Sequence, residues 1–390
     1  MRPKMLRLLR NHPFLALATL LGGLCCYLVL VEDVFLLERP LYKLNTTFIS
    51  DIHSTPVFES GYIAKTGGLV NRLKQSITNY ILPETPTAPD CLETNICKDP
   101  ANKTDIYFYK RTDFDELVEK PFDVNASISH AVPVVPRIVH FCLFSNGTTF
   151  FRFHYMIAIL AASRIAKPEK IYFWHDNLPV GEYWEETRQK VKNLYLVHRD
   201  RPTKIRGNDV RVIEHVADIV RLEALLEYGG MYFDTDSIVV NPIDPLLVHD
   251  VTMGHAVPRV LANGIMFSKP WSDFQKVWHH EYKTFKDKEW GSHSVIKPYQ
   301  LSQKYPNLIH IEPASLCRPN WRELAYLFGS KKWNWQQNNF VVHLYMRFGP
   351  KGKRERNREN IKMWNTTAGS IMRYIYYGDA ELINDEDKKS

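Results

Sequence analysis

Asp234 and Asp236, separated by Thr235, close the short apolar run Met231, Tyr232 and Phe233 in this 390-residue chain. In an extended segment alternate side chains share a side, so both carboxylates should converge. Two hard oxygen donors at one point suit Mg²⁺ or Mn²⁺, which take one or two protein carboxylates and fill their other positions with phosphate oxygens and water. A bare Asp-x-Asp arises by chance in any acidic turn, so the elements that present it matter more than the pair itself. Immediately before it, Ile213, Val216, Ala217, Val220, Ala224 and Leu225 recur at helical spacing. Ile219, Leu222 and Leu226 do the same on a second face, so the helix is apolar around most of its circumference. Asp218 and Arg221 lie three apart on it and are neighbours. Charges on a mostly buried helix must be paired or face a polar cavity, and the residues alone favour an internal ion pair. Gly229 and Gly230 end the helix, a strand follows, and the Asp pair sits at its tip. In open α/β sheets that is where ligands bind.

Two other readings of the pair fare less well. An EF-hand would need an oxygen ligand at Ile238, then a Gly and a closing Glu, and has none of them. A haloacid-dehalogenase-type phosphatase would use Asp234 as nucleophile and Asp236 as acid/base. Its motif usually opens the domain, whereas a long α/β stretch precedes this one, and the only downstream acidic run is Asn384 to Asp387.

Ala217, Asp218, Arg221, Tyr228, Gly229, Gly230, Tyr232, Asp234 and Asp236 reproduce the pattern Ala-Asp-x-x-Arg followed by Tyr-Gly-Gly-x-Tyr-x-Asp-x-Asp. In this the segment resembles the sugar-binding region of glycosyltransferase family 32, which contains α-1,4-galactosyltransferases and fungal α-1,6-mannosyltransferases, and that of the related clostridial glucosylating toxins. The resemblance implies a GT-A fold, a single Rossmann-like α/β catalytic domain that binds a nucleotide-diphospho sugar. It implies that Asp218 and Arg221 hydrogen-bond donor-sugar hydroxyls and that Tyr232 shapes the donor pocket. Asp234 would contact the ribose and metal region, and Asp236 would bind the Mn²⁺ or Mg²⁺ that bridges the diphosphate. It further implies retention of anomeric configuration.

Weaker resemblances extend the site. Val134 to Phe141 reads as an apolar strand similar to the family's first, whose end lies near the nucleotide base, making His140 and Phe141 candidates for that pocket. Ile171 to Trp174 and Leu194 to Val197 read as two further strands. Asn263, before Gly264 to Phe267, is a candidate sugar contact as readily as a turn residue. Val341 to Tyr345 resembles the family's His-Leu-Trp, with Tyr345 where Trp is commoner. His343 there is a candidate third metal ligand or diphosphate contact, set against a packed strand histidine. The basic run Lys351 to Arg358 reads as a solvated surface loop rather than a closing one.

Phe14 to Val31 is apolar for eighteen residues, about 27 Å as a helix and close to the hydrocarbon thickness of a bilayer. Arg2, Lys4, Arg7 and Arg10 precede it and Glu32 and Asp33 follow, the positive-inside pattern of a type II signal anchor. The expected organisation is a cytosolic tail (1–13), a transmembrane anchor (14–31), a lumenal stem (32–132) with partly ordered pieces near Val57 to Leu82 and Ile106 to Val118, a catalytic domain (133–378) and a disordered tail (379–390). Sequons at Asn45, Asn102, Asn125, Asn146 and Asn365 agree with a lumenal, Golgi setting for the glycoprotein. Outside the anchor remain Cys91, Cys97, Cys142 and Cys317, an even set permitting disulfides, with Cys91–Cys97 and Cys142–Cys317 the pairing proximity favours.

The formal charge of +7 owes four units to the first thirteen residues, leaving an ordinary balance and no sign of nucleic-acid binding. Nine tryptophans suit sugar stacking as well as cores, and Trp321, Trp333 and Trp335 fall where an acceptor would pass, although core packing is the default. The expected function is metal-dependent transfer of a hexose or N-acetylhexosamine from a nucleotide sugar, UDP-linked by family analogy, to a glycan, glycolipid or glycoprotein. A non-catalytic lumenal carbohydrate-binding or scaffold protein of the same fold is the alternative from another class, beside the phosphatase.

Overall fold

The computed structural model describes residues 90–99, 104–119, 129–349 and 356–384, all within one compact unit, Leu82–Ser390. The expected anchor at 14–31, the expected ordered piece at 57–82, the sequons at Asn45, Asn102 and Asn125, and residues 351–355 of the basic run lie outside the described residues. Among the described residues no helix is long and apolar enough to cross a membrane.

The strands are β1 (Asp90–Glu93), β2 (Ile96–Lys98), β3 (Ile106–Tyr109), β4 (Ile138–Leu143), β5 (Lys170–His175), β6 (Leu194–His198), β7 (Lys204–Ile205), β8 (Asn208–Asp209), β9 (Gly230–Phe233), β10 (Ser237–Val239), β11 (Val251–Val257), β12 (Val260–Ser268), β13 (His310–Glu312) and β14 (Val341–His343). Ten of them form one mixed sheet in the order β1-β2-β3-β6-β5-β4-β9-β12-β11-β13. Its centre, β3-β6-β5-β4-β9, is parallel throughout, and β12 runs antiparallel to both β9 and β11. These central strands are apolar on both faces, as in β4, Ile-Val-His-Phe-Cys-Leu, because helices cover the sheet from both sides.

Helices α1 (Phe153–Ala161) and α2 (Glu182–Lys190) carry the chain from β4 to β5 and from β5 to β6. Their buried residues share one core with Phe141, Phe173, Phe233 and Phe267. Helix α3 (Ile213–Tyr228) then returns over the opposite face, where it packs on Cys142, Tyr172, Trp174, Tyr232 and Met266. The strand order therefore reverses between β4 and β9, and such a switch point opens a crevice at the strands' carboxyl ends. Helix α4 (Asp273–Glu281) covers the outer side of α3, which is why α3 is apolar nearly all round. Gly229 caps α3 at φ 63°, and a Cβ on Gly230 would meet the Ile138 carbonyl at 2.3 Å, so the Gly pair also lets β9 start hard against β4.

Residues 90–117, read as stem in the sequence, supply three strands of this sheet and a short helical turn, Phe114–Leu117. The strands are too short for sustained periodicity, and tertiary contacts hold them: Asn95, Tyr109 and Thr112 all donate to the Glu227 carboxylate on α3. Cys91 and Cys97 form a disulfide across the β1–β2 hairpin, as expected. Cys142 and Cys317 do not pair: both are free and buried, Cys142 in the core on one face of the sheet and Cys317 in the core on the other.

Candidate metal centre

Asp234 and Asp236 leave the end of β9 in a turn rather than an extended strand. The Asp234 N–H donates to the Gly264 carbonyl and the Ser237 N–H donates back to the Asp234 carbonyl, each at 2.8 Å. The expected alternation is thus replaced by a fold-back, yet the carboxylates still converge because β10 pairs antiparallel with β14. That register sets Ser237 opposite His343, one residue from Asp236. His343 Nε2 lies 3.0 Å from Asp236 Oδ1 and 3.9 Å from Asp234 Oδ2, and one ligand atom from each of the three falls within 4.8 Å of the others.

Each ligand is braced. Asp236 Oδ2 accepts from the Met346 N–H at 2.8 Å, and its backbone carbonyl accepts from Leu344 N–H at 2.9 Å. Asp234 Oδ1 accepts from the Tyr232 hydroxyl at 2.8 Å and pairs with Arg221 at 3.1 Å, leaving Oδ2 toward His343. The His343 ring stacks on Tyr345 with centroids 3.9 Å apart. Burial works to raise the Asp236 carboxyl, but His343 and the Met346 N–H outweigh it and hold it at about 2. Burial pulls His343 down, and the two carboxylates more than offset this, leaving it above the ordinary imidazole range.

The space between these donors exists because residue 264 has no side chain. A Cβ there would stand 2.4 Å from Asp234 Oδ2 and 3.0 Å from His343 Cε1. Two carboxylates and an imidazole around such a cradle fit a small divalent cation, with Mg²⁺ or Mn²⁺ suited to the oxygen donors.

Beside the centre runs a connected polar web on α3 and β12. Arg221 lies 3.6 Å from Asp218 but 3.1 Å from Asp234, so the internal Asp218–Arg221 ion pair is the weaker contact. Its guanidinium also donates to the Asn263 carbonyl at 3.1 Å and lies 4.5 Å over the Tyr232 ring. Asn263, a strand residue rather than a turn, donates to Asp218 Oδ1 at 2.7 Å. Asp218, its carboxyl raised above the usual range by burial, borders a narrow cleft, too tight for a water molecule, with His215, Glu289 and Ser294. The fold thus gathers Asp218, Arg221, Tyr232, Asp234, Asp236, Asn263 and His343.

His140 and Phe141 do not join them. His140 is fully buried among Tyr172, Trp174 and Tyr228, its Nε2 donating to the Gly229 carbonyl and its Nδ1 accepting from the Trp174 indole. That pattern needs the neutral ring, and burial keeps its pKa at about 4. Phe141 is fully buried against Phe233 on the other face. Both are core residues, because central strands of a two-sided sheet bury every side chain. Trp335 is likewise core, Trp333 donates to Asn339, and Trp321 lies half-buried against Tyr345. At the described end of the basic run, Arg358 is anchored to Glu182 on α2. Of the two described sequons, Asn146 and Asn365 are both exposed. Gly264 and the Met346 N–H escaped the sequence reading, since neither a glycine in a strand nor a main-chain donor leaves a side-chain signal.

A family model described as "Glycosyltransferase sugar-binding region containing DXD motif" matches residues 156–252. Glucan organizing enzyme 1 of Cryptococcus neoformans var. grubii is 34% identical over 165 residues, which cover 40% of this chain and 44% of that protein. The chain therefore spans less than half the length of that curated relative. Among solved structures, the glycosyltransferase GlyE of Streptococcus pneumoniae is 12% identical with a TM-score of 0.37, over 64% of this chain and 66% of that one. LgtC, described as a galactosyltransferase in complex with donor and acceptor sugar analogs, is 10% identical with a TM-score of 0.34, over 65% and 99%. Both structural likenesses are loose. The segment matched by that family model holds Asp218, Arg221, Tyr232, Asp234 and Asp236.

Proposed function

We propose that this protein is a metal-dependent glycosyltransferase of the GT-A kind that moves a hexose or N-acetylhexosamine from a nucleotide sugar to a glycan, glycolipid or glycoprotein. The observation that carries the proposal is the convergence of Asp234, Asp236 and His343 around the space kept open by Gly264. A divalent cation held there would neutralise the diphosphate as the glycosidic bond breaks, without a proton transfer. Arg221 fixes Asp234 in place, and the Met346 N–H does the same for Asp236. Asp218 and Asn263, already hydrogen-bonded to each other, present polar edges to the donor-sugar hydroxyls. UDP-galactose and UDP-N-acetylglucosamine are the favoured donors. Retention by a same-face route, in which the departing diphosphate helps deprotonate the acceptor, is the favoured course, because no carboxylate singles itself out as a nucleophile; trapping a covalent glycosyl-enzyme would refute that course. The apolar run at 14–31 and the sequons support a Golgi type II setting with this domain in the lumen.

The test is release of nucleotide from a panel of nucleotide sugars by purified protein, with Mn²⁺, after EDTA, and after Mn²⁺ is restored. Release that disappears with EDTA and returns with the metal is expected. Absence of release across the panel, or release indifferent to EDTA, overturns the proposal.

A further inference from the structure

Two chains of aromatic rings run from the site to the surface, where Arg347 links them. The first starts at the cleft beside Asp218. His215, which lines that cleft, lies 5.6 Å from the Trp290 ring, and Glu289 and Gly291, the neighbours of Trp290, line the cleft as well. The second starts at the metal centre. His343 stacks on Tyr345, Tyr345 meets Trp321 at 5.6 Å, and Trp321 meets Phe348 at 6.4 Å. Arg347 joins the two ends: it adjoins Phe348 in the chain and sets its guanidinium 4.8 Å over Trp290. Glu214, on the first turn of α3, lies 3.5 Å from the same guanidinium.

Trp290 is 58% exposed and Phe348 55%. Exposed apolar rings that gather beside polar groups are the pattern that marks an interaction surface, whereas singly scattered ones are ordinary. Neither ring is loose, since Trp290 is held between His215 and Arg347, and Phe348 rests on Trp321. The rim thus offers the exposed parts of two rings beside a partly exposed guanidinium that covers one face of Trp290. A protein loop or lipid tail would want a continuous apolar groove. A sugar ring wants what is present here: an aromatic face for its C–H side and polar groups for its hydroxyl edge.

We infer that Trp290 and Phe348, backed by Trp321 and flanked by Arg347, form the acceptor-binding surface, and that its occupant is a carbohydrate stacked on the exposed rings. The inference rests on the transferase reading and supplies that reading's second substrate. Trp290 lies one ring contact from His215, and Phe348 three from His343, so the two rings connect to the donor side and the metal side of the site.

The experiment uses full-length protein with Mn²⁺ and UDP on an array of immobilised glycans, followed by calorimetry with the glycan that binds best. Trp290→Ala and Phe348→Ala should each weaken binding about tenfold, roughly 1.4 kcal/mol. Trp290→Phe, which keeps a stacking face, should stay within about threefold of wild type, and all three variants should melt as wild type does. Wild-type protein that binds no glycan on the array, or alanine variants that bind as wild type does, overturns the inference. Hydrolysis of nucleotide sugar by wild type without glycan separates the two readings. If hydrolysis is absent, the transferase reading falls with it. If it is present while the alanine variants still bind normally, only the acceptor surface falls.

Discussion

Adding one methyl group at Gly264 should disable the metal centre without touching a ligand. A Cβ at that position would lie 2.4 Å from Asp234 Oδ2, whereas ordinary van der Waals contact begins near 3.4 Å, so the oxygen must retreat by about 1 Å. It has little freedom to do so. Asp234 Oδ1 is tied to the Tyr232 hydroxyl and the Arg221 guanidinium, and the Asp234 N–H is tied to the carbonyl of Gly264 itself. His343 Cε1, 3.0 Å from the same Cβ, would be pushed the opposite way. Displacement of a reacting or coordinating group by about 1 Å costs on the order of 10²-fold in rate, near 2.7 kcal/mol. Gly264→Ala should therefore lower metal-dependent turnover of the nucleotide sugar about 100-fold and weaken Mn²⁺ binding measured directly by calorimetry. Its melting temperature, read in parallel, distinguishes a displaced site from a lost fold. A folded Gly264→Ala protein with wild-type Mn²⁺ affinity and turnover would refute the reasoning, because the three donors would then not need the space their geometry requires.

Other outcomes follow from the same geometry. Asp236→Asn should reduce kcat by at least about 10²-fold while the protein remains folded, and near-normal turnover with the metal unchanged would remove Asp236 from the centre. Asp218→Asn should weaken discrimination among donor sugars more than it affects Mn²⁺ affinity, as read by kcat/KM across the donor panel, because Asp218 meets Asn263 and the cleft rather than the metal centre. Glu223, fully buried with Arg199, Arg111 and His279, provides a pH test of the fold. Burial works to raise its carboxyl, but the Arg199 charge, the hydrogen bonds from His279 and Arg111 and the Arg111 charge outweigh it and hold the pKa well below the carboxylate range. Its folded pKa lies below its unfolded one, so its contribution is complete above the unfolded pKa and is lost as pH falls from about 5 downward. The urea midpoint of wild type should drop over that range. Glu223→Gln, which strands the buried Arg199, should cost about 3–5 kcal/mol at pH 7 and flatten the dependence. A pH profile equally steep in the variant would show that other groups govern it.

The sequence by itself determined what local spacing encodes. Asp218 and Arg221 fall on one helix because they are three apart, Gly229 and Gly230 end it because they adopt positive φ, and Asp234 and Asp236 follow a buried strand. All of this is within a few residues of chain, where periodicity and capping speak directly. What spacing could not encode is partnership across the fold. His343 reaches Asp236 from 107 residues away through the β10–β14 register, and Arg221 takes Asp234 rather than its helix neighbour as the closer carboxylate. The order near Ile106 to Val118 is legible in the sequence, but that residues 90–98 and 106–109 join the sheet, with Glu223 and Glu227 on α3 holding Asn95, Tyr109, Arg111 and Thr112, is announced by no local pattern. His140 and Phe141 sit on a strand buried from both sides, and Cys142 and Cys317 are separated by the sheet itself. Whether a strand residue faces a ligand or a core depends on what packs over it, and only the tertiary structure decides that.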